Sequence, residues 1–169
     1  MADFSIRHEF ECDEKTFWEK CTFDEEFNRR LYLDYLKFPG WKCVQQDDDG
    51  KKIQRKVHVD PAIGNVPGPV KKAMGDKLSY VEEGTYDRST QKYIFTAIPS
   101  TMADKTKTTG ELYTEKLGDK RIARIAKVKV EVKIFMIGGM VEEVILRDMK
   151  DSYNAAAKFT ETFLKEKGY

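Results

Sequence analysis

Histidine is almost missing from this sequence: His8 and His58 are the only two, and neither stands at a spacing that holds zinc. Cysteine is nearly as scarce. Cys12, Cys21 and Cys43 make an odd count with no CxxC pair, which fits a reduced, cytoplasmic setting and no disulfide framework. Charge of one sign is missing as well. Thirty basic residues face 29 acidic ones, a formal net charge of +1, so no long-range field gathers DNA or RNA and no nucleic-acid partner is expected. No apolar run approaches the roughly 20 residues of a membrane span. Met1-Ala2-Asp3-Phe4 leads straight into alternating sequence, without the apolar region of a secretion signal. A soluble, cytoplasmic protein is expected, touching a membrane only peripherally. The chain lacks GxSxG, GxGxxG and P-loop patterns, and Asp47-Asp48-Asp49-Gly50 lacks the later ligands of a calcium loop. These absences leave no candidate nucleophile and no metal site, and nothing asks for a cofactor.

What is present reads as one domain over residues 1–169, a size that buries roughly 70% of its unfolded surface. Phe4, Ile6, His8, Phe10 and Cys12 alternate with polar residues, the period of a half-buried strand. Asp13 is placed to cap a short helix carrying Phe17, Trp18 and Cys21. Asp24 is placed to cap a second, with Phe27, Leu31 and Tyr35 on one face, and Pro39-Gly40 ends it. Six further strands are predicted over 41–46, 52–60, 77–87, 91–98, 105–117 and 120–136, with a tight hairpin turn at Asp47–Gly50. No βαβ rhythm interrupts them, so the sheet is predicted antiparallel. A helical pattern then runs from about 140 to 167 without proline and closes at Gly168, roughly 40 Å in all. Its apolar face reads Val141, Val144, Ile145, Met149, Ser152, Ala156, Phe159, Phe163. That face is bulky at its ends and small in the middle. Small residues there leave room between helix and sheet, or else allow close packing on alanine; the pattern fits both.

Two further features bear on function. Residues 61–75 hold three prolines and three glycines and are predicted irregular, yet Ile63, Val66, Val70 and Met74 are apolar. Such a stretch is a lid or a binding loop, or an ordered crossover. As a lid it would present Val66, Val70 and Met74 to a bilayer and Lys71 and Lys72 to its anionic surface. The second feature is polar residues on apolar strand faces. Arg55 shares a face with Ile53, Val57 and Val59, Arg124 with Ile122 and Val128, and His8 lies between Ile6 and Phe10. A buried guanidinium needs a carboxylate, a ligand anion or water. Glu82 and Glu83 point to opposite faces of one strand, so one of them is the rival partner for an inward arginine, within an internal Arg–Glu–His network.

The element order resembles that of the START-like, or helix-grip, superfamily (SRPBCC). Closer resemblances lie in His8-Glu9-Phe10 leading to Phe17-Trp18, in Phe27-Asn28-Arg29-Arg30-Leu31-Tyr32-Leu33, and in Pro69-Val70-Lys71-Lys72. Pro99-Ser100-Thr101-Met102-Ala103-Asp104-Lys105 and Lys150-Asp151-Ser152-Tyr153 add to them. Together they resemble an uncharacterised bacterial START-like family of unknown function. Pro69-Val70-Lys71 through Gly75, followed by Tyr80-Val81-Glu82-Glu83, is more weakly similar to the PRELI/slowmo phospholipid-transfer proteins. The resemblance implies an α+β fold: a curved sheet of about seven antiparallel strands around a long C-terminal helix, with two short helices after the first strand. It also implies a lipid or other hydrophobic ligand in a cavity between sheet and helix, with transfer at an anionic membrane. The candidate ligand-binding residues are His8, Arg55, Tyr80, Glu82, Glu83, Arg124, Ser152 and Ala156. Two other readings remain open. One is a cyclase-like enzyme acting on a hydrophobic substrate, with His8, Glu82 or Glu83 as acid–base. The other is a protein-interaction module of the Hsp90-activator type, which would have a filled core.

Overall fold

The computed structural model describes residues 1–76 and 78–169. Strand β1 (Ala2–Phe10) alternates half-buried and exposed residues as its sequence dictates. Residues 14–22 form α1 and residues 25–35 form α2. Asp13 caps the first by accepting the Thr16 backbone N–H, and Asp24 caps the second by accepting that of Phe27. Both helices start as α and widen to π turns, Phe17–Thr22 and Arg30–Tyr35. The widening shifts the register on α2. Leu31 stays buried, but Tyr35, expected on the same face, is 46% exposed, while Tyr32 turns toward the sheet and stacks on Trp41.

Strands β2 (Gly40–Asp48), β3 (Lys52–Asp60), β4 (Tyr80–Asp87), β5 (Lys92–Pro99), β6 (Thr106–Gly118) and β7 (Arg121–Val132) complete one sheet. Its order is β1-β7-β6-β5-β4-β3-β2, antiparallel at every pairing. The expected strand over 77–87 begins at Tyr80, and Lys77 lies outside the described residues. β7 stops at Val132 rather than running on to Met136. Gly138 brings the start of the last helix against the strand's end, where a methyl group would sit 2.5 Å from the Val132 carbonyl oxygen. Within the sheet, Phe95 lies over its strand partner Gly110, a contact that any β-carbon there would destroy.

Helix α4 (Gly138–Lys167) is continuous, ends on Gly168 in the left-handed conformation, and packs on β1 and β7. Helix α3 (Gly68–Met74) corrects the expectation that 61–75 is irregular throughout. Proline is tolerated in a first helical turn, where the missing N–H has no intrahelical partner, and Pro69 sits there. Val70 and Met74, one turn apart, are then buried in the main core.

Asn28 holds the α1–α2 corner. Buried, it donates from its amide to the carbonyls of Cys21 (3.4 Å), Thr22 (2.9 Å) and Asp24 (2.7 Å). Replacing Asn28 with Ala removes those donors where water does not reach, and the expected loss is about 1–3 kcal/mol. Urea unfolding of Asn28→Ala beside Asp24→Ala, for which about 1 kcal/mol is expected, checks it. A loss at Asn28 no larger than at Asp24 would show that the corner does not depend on the amide.

Candidate functional site

A cavity of about 220 Å3 lies between the sheet and α4, far above the roughly 10–15 Å3 that holds a single water. Phe17, Phe27 and Leu31 of α1 and α2, Phe95 and Leu112 of the sheet, and Val144, Ile145 and Met149 of α4 make its apolar wall. Ser152 and Ala156 also line it, so the small middle of the α4 face borders space instead of close-packed sheet. The exposed lining residues Ala62, Ile63 and Thr101 mark a mouth at the end of the sheet where β3 and β5 finish.

The two inward arginines meet different surroundings. Arg55 has its charge met within the protein, although its Nε, like that of Arg124, is buried without a hydrogen-bond partner among the described residues. It donates to the Thr22 carbonyl at 2.6 Å, lies 3.7 Å from Glu82, and packs over the rings of Phe23 and Tyr93. Burial works to lower its pKa, but Tyr93, Glu82 and Tyr32 outweigh that and the net shift is upward. Tyr93 in turn donates its hydroxyl to Glu82 at 2.8 Å. The expected rival carboxylate is therefore Glu82. Glu83 corrects a candidate: it faces the outer side of the sheet and pairs with Lys56 at 2.9 Å, because alternation along β4 sends adjacent side chains to opposite faces.

Arg124 lies directly across from His8 in the β1–β7 register. It is buried and lines the cavity, yet among the described residues no carboxylate pairs with it. Its Nη2 donates to His8 Nδ1 at 2.7 Å and to the Tyr153 carbonyl at 3.2 Å, while Nε is buried without a partner. The rings of Phe10 and Tyr153 flank the guanidinium. Burial pushes its pKa down to about 10, so it remains a cation at neutral pH. Because His8 Nδ1 accepts, the proton sits on Nε2, which donates to Asn154 Oδ1 at 2.9 Å. Burial holds the imidazole below its ordinary pKa. His8 thus stands behind Arg124, which it contacts, and is not among the residues that line the cavity, contrary to its expected place there.

Tyr32, Tyr80 and Tyr153 line the same cavity, and none of their hydroxyls makes a hydrogen bond within the described residues. Burial raises Tyr32 to about 12 and the other two further, so all three remain protonated donors. Tyr32 and Tyr153 were not singled out from sequence. Tyr153 follows Ser152 on α4, and Tyr32 turns inward only because α2 widens. Burial also raises Cys12 to about 11 and Cys21 higher, which makes inert thiols of both. No metal-ligating cluster occurs among the described residues.

The expected lid anchors are redistributed. Val70 and Met74 are buried, with Met74 on the cavity wall, and Val66 is half-buried against the core. None is free to enter a bilayer, since α3 spends its apolar face on the protein. Lys71 and Lys72 are exposed, Lys71 lying 3.7 Å from Asp76. Residues 61–67 remain at the mouth, tied to α4 where Arg147 donates to the Asn65 carbonyl at 2.8 Å. No described helix is long and apolar enough to cross a membrane.

The fold is START-like. A START superfamily protein from Mycobacterium smegmatis superposes with a TM-score of 0.58 at 14% identity over 97% of each chain. TTHA0849 from Thermus thermophilus gives 0.67 at 15% identity, covering 99% of this chain and 100% of that one. The Zhui aromatase/cyclase from Streptomyces sp. R1128 gives 0.64 at 11% identity over 93% and 92%. No curated protein matches the chain in sequence. A family model described as a protein of unknown function (DUF2505) matches residues 5–164, nearly the whole sheet and α4 with its cavity-lining face, and the chain belongs to that family.

Proposed function

We propose that this protein binds, and transfers, an amphipathic ligand with one anionic group on a single apolar chain or ring system; a fatty acid is the simplest case. The observation that carries this reading is Arg124: a buried cation on an apolar cavity wall with no carboxylate of its own. Taking a guanidinium out of water is costly unless an anion compensates, and its planar edge suits a carboxylate or phosphate. The free hydroxyls of Tyr32, Tyr80 and Tyr153 supply further donors around that anion. At about 220 Å3 the cavity falls below the roughly 300–1,000 Å3 usual for ligand pockets, which favours one chain over a two-chain phospholipid.

A catalytic reading has one observation in its favour: Glu82, Tyr93 and Arg55 form an acid–base set in the same cavity. Ligand recovered chemically unchanged after long incubation would reject it. Turnover lost in Glu82→Gln would establish it. The interaction-module reading calls for a filled core and an exposed apolar patch; the cavity speaks against it, while the exposed Phe135 and Met136 meet its second condition.

Arg124→Met is the direct test of anion binding. Losing hydrogen bonds to a charged group should weaken fatty-acid binding by about tenfold to a hundredfold, leave the matching fatty alcohol unaffected, and raise the melting temperature of the empty protein by removing an uncompensated buried charge. Equal binding of the acid by variant and wild type would defeat the assignment. Ala156→Phe addresses the space itself. It should fill the cavity and abolish uptake at an overpacking cost of about 1–3 kcal/mol, and unchanged uptake by folded protein would mean that the ligand sits elsewhere.

A further inference from the structure

The turn between β7 and α4 carries the two most exposed large apolar side chains of the described residues, Phe135 at 89% and Met136 at 85%. Met136 is held at φ +67°, a conformation uncommon for a non-glycine residue and often found where strain serves a function. The knuckle belongs to the rim of the cavity mouth. The Lys133 N–H donates to the Lys105 carbonyl at 2.8 Å, and the hydroxyl of Thr101, itself a mouth residue, donates to the Met74 carbonyl of α3 at 3.3 Å. Knuckle, 100–105 loop and α3 therefore form one continuous edge.

We infer that Phe135 and Met136 insert into a membrane surface containing anionic lipid. Two adjacent apolar side chains left in water on a turn offer area whose burial elsewhere is favourable. Two side chains bury less than about 500 Å2, short of the roughly 800 Å2 per partner that a stable protein interface needs. A bilayer interface demands no shaped partner and accepts such a tip at the headgroup–acyl boundary. The charge around the tip fits. Lys72 and Lys105 are exposed with no carboxylate partner among the described residues, Lys71 and Lys133 are only loosely paired at 3.7 Å with Asp76 and Glu131, and Asp104 is the one further acid of the 100–105 loop. The surface stands independently of which ligand the cavity holds.

Flotation of the intact protein with phosphatidylcholine vesicles, with and without phosphatidylglycerol, tests it. Wild type should float with the mixed vesicles and less with phosphatidylcholine alone. Phe135→Ser/Met136→Ser should weaken partitioning to both by about tenfold or more, with an unchanged melting temperature because both residues are exposed. Phe135→Trp should shift its emission to the blue on vesicles and be quenched by lipids brominated in the chain, while Trp18 and Trp41, both buried, stay silent. Double-variant binding equal to wild type, or no wild-type flotation on either vesicle, overturns the inference. So does a wild-type dimer on size exclusion that the double variant dissolves, since the knuckle would then join two copies. Fatty-acid uptake from solution separates the two proposals. Protein that takes up fatty acid but never floats refutes membrane insertion alone, and protein that floats without taking it up refutes the cavity reading alone.

Discussion

A guanidinium withdrawn from water must be compensated, and this structure meets that constraint in two different ways. Arg55 is compensated by the protein: Thr22, Glu82 and Tyr93 surround it, and Asn28 fixes the corner that presents the Thr22 carbonyl. The arrangement joins α1 and α2 to the middle of the sheet, so Arg55 belongs to the scaffold. Arg124 is compensated only by a neutral imidazole, a helix carbonyl and two ring faces. Those contacts hold its position without cancelling its charge, and the surplus faces the cavity.

The cavity exists because of what α4 omits. Val141 and Val144 close one end of the helix–sheet contact, and Phe159 and Phe163 with Phe27 close the other. Between them Ser152 and Ala156 are too short to fill the space toward the sheet. The gap leaves packing contacts between helix and sheet unmade. An unfilled gap beside an unneutralised arginine is two departures from best stability in one place, and departures of this kind collect at functional sites.

Much of this was legible in the sequence because it depends on local pattern. Alternation along β1 and β7 and the Asp13 and Asp24 caps are read from neighbouring residues, and the structure follows them; the small stretch at Ser152–Ala156 fits open space and close packing alike, and the structure puts space beside it. The illegible parts depend on geometry that neighbours do not set. Alternation says that Glu82 and Glu83 face opposite ways, but only the sheet's curvature decides which way is inward. Pro67 and Pro69 read as helix breakers until Pro69 falls in a first turn, and that placement turned Val70 and Met74 from bilayer anchors into core. Tyr32 turned inward, and Tyr35 outward, through a π turn that no apolar period announces. Phe135 and Met136 continued an apparent strand that Gly138 cuts short.

The strand that carries Arg124 also sets a direction for the ligand. Arg124 is the fourth residue of β7, and the Phe135–Met136 knuckle follows the end of that strand. The eight steps from Arg124 to Val132 span roughly 27 Å at about 3.4 Å each. With the mouth at the Val132 end, an anion held by Arg124 sits at the far end and the apolar tail points back toward the opening. A ligand of the proposed kind would then enter head first, passing Thr106, Thr108 and Tyr80 on the cavity wall before its charge reaches Arg124. A weak acid can make that passage protonated and ionise on arrival, because a cation with no counter-ion favours the ionised form. The orientation of β7 thus suits the proposed single-chain acid, whose head group would meet Arg124 while its tail points back to the mouth.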